Sequence, residues 1–399
     1  MVLRVPSIRY ADDMAKRHRS YRNLLRGIST DTTKANYAEC LKRFIIFHKI
    51  DDYDKLIKID SEQITDMMCD WVDFLTDKNL KPRTVRAMLS GPELFFEMNR
   101  KIWHKRLVRK RIQKDDSIYG GNVPFTTEEI QIMLETTKSI RTKALVHFIA
   151  STGIRPAALI DPVLCLKHLE KIDDCYTVKI YDESKEGYWA FLTPEASKIM
   201  NRYLNWREAH GEDLSPESVI FARLKKNRSN VDHGKQNQHV SDANLSRILN
   251  DLLIQSNIKR TKIGKNRYDK AIVYGFRKRF NTILKLNNDV NSNIAEKLMA
   301  HKRGLDGTYL QPTREECFAE FKKAVLFLTI SDKERQKIAL EKKQKELDKE
   351  KYTKRQLEER LTEVEELKEK LSGFEDFKEE LRNEFREEIQ NLKRSNKKR

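Results

Sequence analysis

Apolar side chains recur at helical spacing through almost the whole chain, and only one stretch alternates as paired strands would. That stretch is YTVKIYDESKEGYWAFLTP, residues 176–194, which reads as a β-hairpin turning near Glu183 to Gly187. A chain with so little strand pattern cannot build an extended sheet, so the fold class expected is mainly α with a small β-hairpin or sheet.

Punctuation divides the helical remainder. Residues 1–28 are basic and weakly patterned, which predicts a flexible arm. Capping residues at Ser29 to Asp31 precede Tyr37, Leu41, Phe44 and Phe47 on one helical face. A second helix follows Asp60 and Ser61, with Ile64, Met68, Trp71 and Leu75 on its inner stripe. KPRTVRAML predicts a third, stopped by Gly91-Pro92, and PELFFEMNRKIWHKRLVRKRI a fourth, so residues 29–112 read as a four-helix domain. Residues 113–124 form a polar, glycine-bearing linker. Beyond it Thr126 and Glu129 make a capping box, and the apolar helix KALVHFIAS ends at Gly153 as a C-cap. The rest of the region 125–330 reads as helical, apart from a basic loop over residues 222–239.

Residues 331–399 are set apart by composition. Leu357, Leu361, Val364 and Leu371 keep one heptad-like seam, and Phe374, Leu381, Phe385 and Leu392 keep another, with Ser372-Gly373 where the phase changes. A coiled coil with a stutter, or two shorter helices, is expected, and the repeated seam favours self-association.

Charge narrows the partners. The chain carries 79 basic and 61 acidic side chains, a formal charge of +18. The tail holds 21 basic and 19 acidic of these, so about +16 belongs to the first 330 residues, which points to a polyanion such as nucleic acid. Lys105, Arg106, Arg109 and Lys110 (with Arg111) close the fourth predicted helix and are candidate phosphate contacts. The opening MVLRVPSIRY has no apolar run of signal length, and no run of 18 apolar residues occurs. A soluble cytoplasmic protein with no membrane partner is therefore expected. The five cysteines, Cys40, Cys69, Cys165, Cys175 and Cys317, have no zinc-like spacing, so no metal site is expected.

Four basic points punctuate the second region: Arg155 in TGIRPAAL, Lys185 in ESKEGYW, Arg277 in YGFRKRF and His301 in MAHKRG. Tyr309 follows in GTYLQP. Taken in this order, the set resembles the catalytic domain of the tyrosine recombinases, the phage-integrase family. The helical segment before the linker resembles that family's core-binding domain, so the likeness covers roughly residues 29–330. The wording of HKRGLDGTYLQP is most similar to integrases of archaeal mobile elements.

The resemblance implies a helical DNA-binding domain, an α+β catalytic domain and a site-specific strand transfer that needs neither metal nor cofactor. Two guanidinium forks, Arg155 and Arg277, would neutralise the charge gathering on a phosphodiester. His301 would donate a further hydrogen bond, Lys185 would protonate the leaving 5′-oxygen, and Tyr309 would attack phosphorus to form a covalent phosphotyrosine. Lys278 and Arg279 are alternative phosphate contacts to Arg277. One position departs from the family: Tyr274 stands where a histidine is usual, and a phenol near ~10 cannot accept a proton as an imidazole near ~6.5 does. Tyr274 would then hydrogen-bond the phosphate or position its neighbours. The Tyr309 proton would go to His301 or to water, or be shed as the cationic field lowers the phenol's own pKa. The implied partner is double-stranded DNA, the implied assembly a tetramer on it, and the implied place the nucleoid. The helix EECFAEFKKAVLFL, with Phe318, Phe321, Val325 and Leu328 in a stripe, would dock on a neighbouring subunit. Two other readings use the same residues: a type IB topoisomerase-like enzyme, and a silent DNA-binding protein assembled by its coiled coil.

Overall fold

The computed structural model describes residues 8–113, 120–222, 239–263, 267–301 and 309–396. Most of the basic loop over residues 222–239, the middle of the linker, and Lys302 with Arg303 lie outside the described residues. The fold is mainly helical with one three-stranded antiparallel sheet, as expected. Packing divides the chain into two units, residues 1–118 and 119–399.

The first unit holds α1 (Ile8–Arg17), α2 (Arg19–Arg26), α3 (Asp31–Phe47), the single turn α4 (Tyr53–Leu56), α5 (Ser61–Asp77), α6 (Pro82–Met98) and α7 (Lys105–Arg111). Two expectations are corrected here. Residues 8–26 form two helices, and Tyr21 and Leu24 of the supposed arm are fully buried against the unit's aromatic core. The predicted break at Gly91-Pro92 does not occur either, because α6 runs through both residues. A Cβ on Gly91 would fall 2.3 Å from the Tyr37 carbonyl oxygen and 2.8 Å from the Leu41 nitrogen. The glycine is there to let α3 and α6 touch backbone to backbone, and that packing outweighs the hydrogen bond Pro92 removes. The fourth predicted helix correspondingly divides, leaving α7 as a short basic segment.

In the second unit, α8 (Thr127–Thr136) begins at the Thr126–Glu129 capping box. Next comes α9 (Ile140–Thr152), buried along most of its length and closed by Gly153 at φ +56°. Strands β1 (Leu169–Ile172), β2 (Cys175–Ile180) and β3 (Tyr188–Leu192) pair in sequence order, the hairpin being β2–β3 with Tyr176 opposite Leu192 and Ile180 opposite Tyr188. Helices α10 (Pro194–Ala209), α11 (Asp242–Gln255), α12 (Ile272–Leu286), α13 (Ser292–Leu298) and α14 (Arg314–Leu328) complete the packed region.

The α14 stripe does not dock on a neighbour. Phe318 and Phe321 pack on Phe191 of β3, and Phe318, Phe321, Val325 and Leu328 are all buried within the chain's own core. A stripe of that kind fixes burial but not which surface covers it, and here the same chain does.

The tail is one uninterrupted helix, α15 (Asp332–Asn396), passing through Ser372-Gly373 without a break. At ~1.5 Å per residue it extends about 97 Å. Its first turn is tied down where Glu195 accepts the backbone N–H groups of Ile330 and Ser331 and Lys198 pairs with Glu334. No helix among the described residues is long and apolar enough to cross a membrane.

Candidate active site

Two glycines bring the site together. A Cβ on Gly153 would strike the Phe280 ring at 2.6 Å, and one on Gly275 would strike the Phe125 ring at 2.6 Å. Without those atoms, the C-terminus of α9 and the segment entering α8 press directly on α12. This places the turn carrying Arg155 beside Arg277.

Arg277 is the hub. It is 5 % exposed, and its guanidinium donates to Gly153 O at 2.6 Å, Met299 O at 2.5 Å and His301 Nε2 at 3.0 Å. It therefore joins the ends of α9 and α13 through α12. Arg155 donates to Ala300 O at 3.3 Å. Burial pulls the Arg277 pKa below its ordinary value, and the like charge of Arg155 pulls it further. A guanidinium disfavoured by burial and by a like-charged neighbour is one whose charge an anion would relieve.

Beside them lies a cavity of about 550 Å³ whose lining includes Arg155, Lys185, Tyr181, Lys297, His301 and Gln311. Lys185 is exposed at the β2–β3 turn. Tyr188 closes the hairpin end of the cavity, its phenol pushed up to about 12 by burial despite the opposing charges of Arg277 and Arg155. Segments distant in sequence thus converge on one cation-rich cavity.

His301 is held from both sides. Nδ1 lies 2.7 Å from a Glu296 carboxylate oxygen, and Nε2 lies 3.0 Å from Arg277. A guanidinium has only N–H groups to offer, so Nε2 accepts and the ring hydrogen sits on Nδ1, donating to Glu296. Burial lowers the His301 pKa, Glu296 opposes that, and Arg277 and Arg155 add to it. The ring is therefore neutral at pH 7, anchored by a carboxylate, with its one lone pair held by Arg277; it can accept a proton only when that hydrogen bond gives way. Glu296 and Lys297 were missed in the sequence. They sit on α13 with no spacing signal, and only the helix end brings Glu296 back onto the ring five residues later.

Tyr309 is 77 % exposed and is not among the described residues lining the cavity, although Gln311 and Pro312 just after it are. Tyr274 is 49 % exposed on the turn of α12 before Arg277, close enough to influence its charge. Lys278 is partly buried and donates to Asn122 Oδ1 at 2.9 Å.

Arg279 requires correction as a phosphate contact. It is 4 % exposed, and its guanidinium donates to Thr127 Oγ1 at 2.9 Å and to the Phe327 carbonyl at 3.1 Å, closing the C-terminus of α14. Burial lowers its pKa to about 10. Two positions along a helix turn a side chain by roughly 200°, so Arg277 and Arg279 face opposite ways. Arg279→Met should cost about 1–3 kcal/mol of stability by stranding buried carbonyls, with the salt dependence of DNA binding unchanged. A salt slope shallower by about one unit at full stability would instead make Arg279 a phosphate contact.

In the first unit, Arg109 makes two hydrogen bonds to Glu93 (3.3 and 3.0 Å), and Lys105 pairs with Glu97 at 3.1 Å. Arg106 and Lys110 are exposed and, with Lys105, line a shallow depression beside Trp103. The paired acids weaken two of the four cations as phosphate contacts without removing them, since exposed pairs contribute only ~0–1 kcal/mol.

No protein-family model and no curated protein matches the sequence. Among solved structures, the chain is similar to the Tn1549 transposon integrase in complex with circular-intermediate DNA, at 15 % identity and TM-score 0.49, covering 78 % of this chain and 98 % of that one. It is also similar to the XerH site-specific recombinase bound to difH substrate (15 % identity, TM-score 0.48, 75 % and 80 % covered). A third is a lambda integrase dimer bound to a core site, at 16 % identity and TM-score 0.46, covering 77 % and 94 %.

Proposed function

We propose that this chain is a tyrosine-type DNA strand transferase that cuts and rejoins double-stranded DNA through a covalent 3′-phosphotyrosine. The observation that carries the reading is the convergence of Arg155, Arg277 and His301 beside a cavity that Lys185 also lines. A phosphodiester there would be gripped by two guanidinium forks, and its leaving 5′-oxygen would meet the mobile ammonium of Lys185. Tyr309, exposed and just ahead of the cavity-lining Gln311, is the nucleophile. With Tyr274 in place of the usual histidine, His301 takes the tyrosine's proton on Nε2 once a bound phosphate draws the Arg277 N–H away from it. Because the phosphotyrosine stores the energy of the broken bond, rejoining needs neither ATP nor metal. Site-specific recombination of a mobile element at the nucleoid, by a tetramer whose tails associate, is the biological setting of this reading.

The direct test is covalent capture: incubate the protein with a nicked duplex library, denature, and recover DNA attached to protein. An attached product, formed undiminished in EDTA, is the expected result. Absence of any attached DNA across the library, or a strict magnesium requirement for attachment, would sink the mechanism. Affinity for duplex DNA should also fall steeply with salt, by about 0.9 log units per log unit for each phosphate neutralised. A total slope of about two or less would mean that the basic surface is not the footprint.

The Glu296–His301 pair supplies a pH test. If neutral His301 is the base, kcat/KM falls as pH drops through its pKa, below the ordinary ~6.5. Glu296 raises that pKa. Glu296→Gln should therefore move the acid limb to lower pH while slowing cleavage about ten-fold or more, part of the ~10²–10⁴ a positioned base contributes. An unmoved acid limb would take His301 out of the role.

A further inference from the structure

We infer that α15 pairs with α15 of a second copy in antiparallel orientation, about a two-fold axis passing beside Val364. This deepens the self-association proposed above and is independent of the cleavage chemistry.

Val364 is the midpoint of the Asp332–Asn396 helix. Leucines stand 3, 7 and 17 residues to either side of it: Leu361 with Leu367, Leu357 with Leu371, and Leu347 with Leu381. All six are exposed in the single chain. An antiparallel copy sets each of these on its mirror image. Three phenylalanines lack an apolar mirror, and each one meets a lysine instead: Phe374 with Lys354, Phe377 with Lys351, Phe385 with Lys343. A lysine stem covers a ring while its ammonium stays in water or over the ring face.

Charge decides against the parallel alternative. Residues 337–355 hold eight basic and four acidic side chains, and their mirror images, residues 373–391, hold three basic and seven acidic ones. Antiparallel pairing opposes these blocks, whereas parallel pairing in register stacks like on like. The centre of the seam is more telling. Every seventh residue through Val364 reads Lys343, Glu350, Leu357, Val364, Leu371, Lys378, Phe385. A parallel pair would set Lys343, Glu350 and Lys378 each against itself inside the seam, a costly placement of like charges. The antiparallel pair turns them into Lys343 on Phe385 and Glu350 on Lys378.

The test uses the full chain with Cys40 and Cys165, the two partly exposed cysteines, changed to serine. Protein carrying Glu350→Cys is mixed with differently sized protein carrying Lys378→Cys and oxidised gently. The mixed disulfide should predominate, and predominance of the two homodisulfides would overturn the antiparallel arrangement. In uncrosslinked protein, Glu350→Lys should raise the dimer Kd about ten-fold, and adding Lys378→Glu should restore it, each pair occurring twice across the axis. No rescue overturns the orientation, and a monomer across the micromolar range in sedimentation overturns self-association itself, both without bearing on covalent capture of DNA.

Discussion

Tyr309→Phe is expected to abolish covalent attachment to DNA while leaving duplex affinity within a few-fold. Only one oxygen is removed, and it belongs to a side chain that is 77 % exposed and carries none of the core. The fold should be untouched and the melting temperature with it. Losing a nucleophile cannot be made good by the surrounding charges, because they stabilise a phosphorane that no longer forms. Single-turnover cleavage of a nicked duplex measures the effect. Residual attachment by the Phe variant at more than a trace would move the nucleophile elsewhere, with Tyr274 and Tyr181 the next to be replaced.

Arg155→Ala and Arg277→Ala should each slow cleavage by at least ~10², the order found for removing one preorganised donor to a developing oxyanion. Their effects on stability should differ. Among the described residues Arg155 gives up one hydrogen bond, to Ala300. Arg277 gives up those to Gly153, Met299 and His301, two of them to backbone carbonyls, so its loss should also cost about 1–3 kcal/mol of folding free energy. Arg155→Ala is therefore the variant that separates chemistry from architecture. Cleavage within ten-fold of the parent at an unchanged melting temperature would remove Arg155 from the phosphate clamp.

What the residues told in advance was mostly local. Gly153 announced a left-handed C-cap, Thr126 with Glu129 a capping box, and the alternation around Glu183–Gly187 a hairpin, because each is decided within a few positions of itself. The Gly91-Pro92 pair misled for the opposite reason: its meaning lies on α3, fifty residues away, where the missing Cβ admits a second backbone. The α14 stripe was visible but not its cover, since burial against Phe191 of β3 depends on tertiary contact. YGFRKRF held more than was taken from it. Arg277 and Arg279 cannot share a helix face, so choosing one for the phosphate already sent the other elsewhere. The Glu296–His301 contact had no such signal, because it depends on how the chain leaves α13.

A site gathered from such distant segments is completed late in synthesis. Arg155 and Lys185 leave the ribosome well ahead of Arg277, His301 and Tyr309. At ~5–20 residues per second, the interval between Arg155 and Tyr309 is on the order of ten to thirty seconds. For most of it the first guanidinium lacks the partners that hold its loop, Arg277 and Ala300, and for all of it the proposed nucleophile does not yet exist. If the chain is the strand transferase proposed above, a nascent or prematurely terminated copy would carry the basic first unit without the residues that cut. On that reading, stalled translation would leave an inert fragment rather than a half-finished cut.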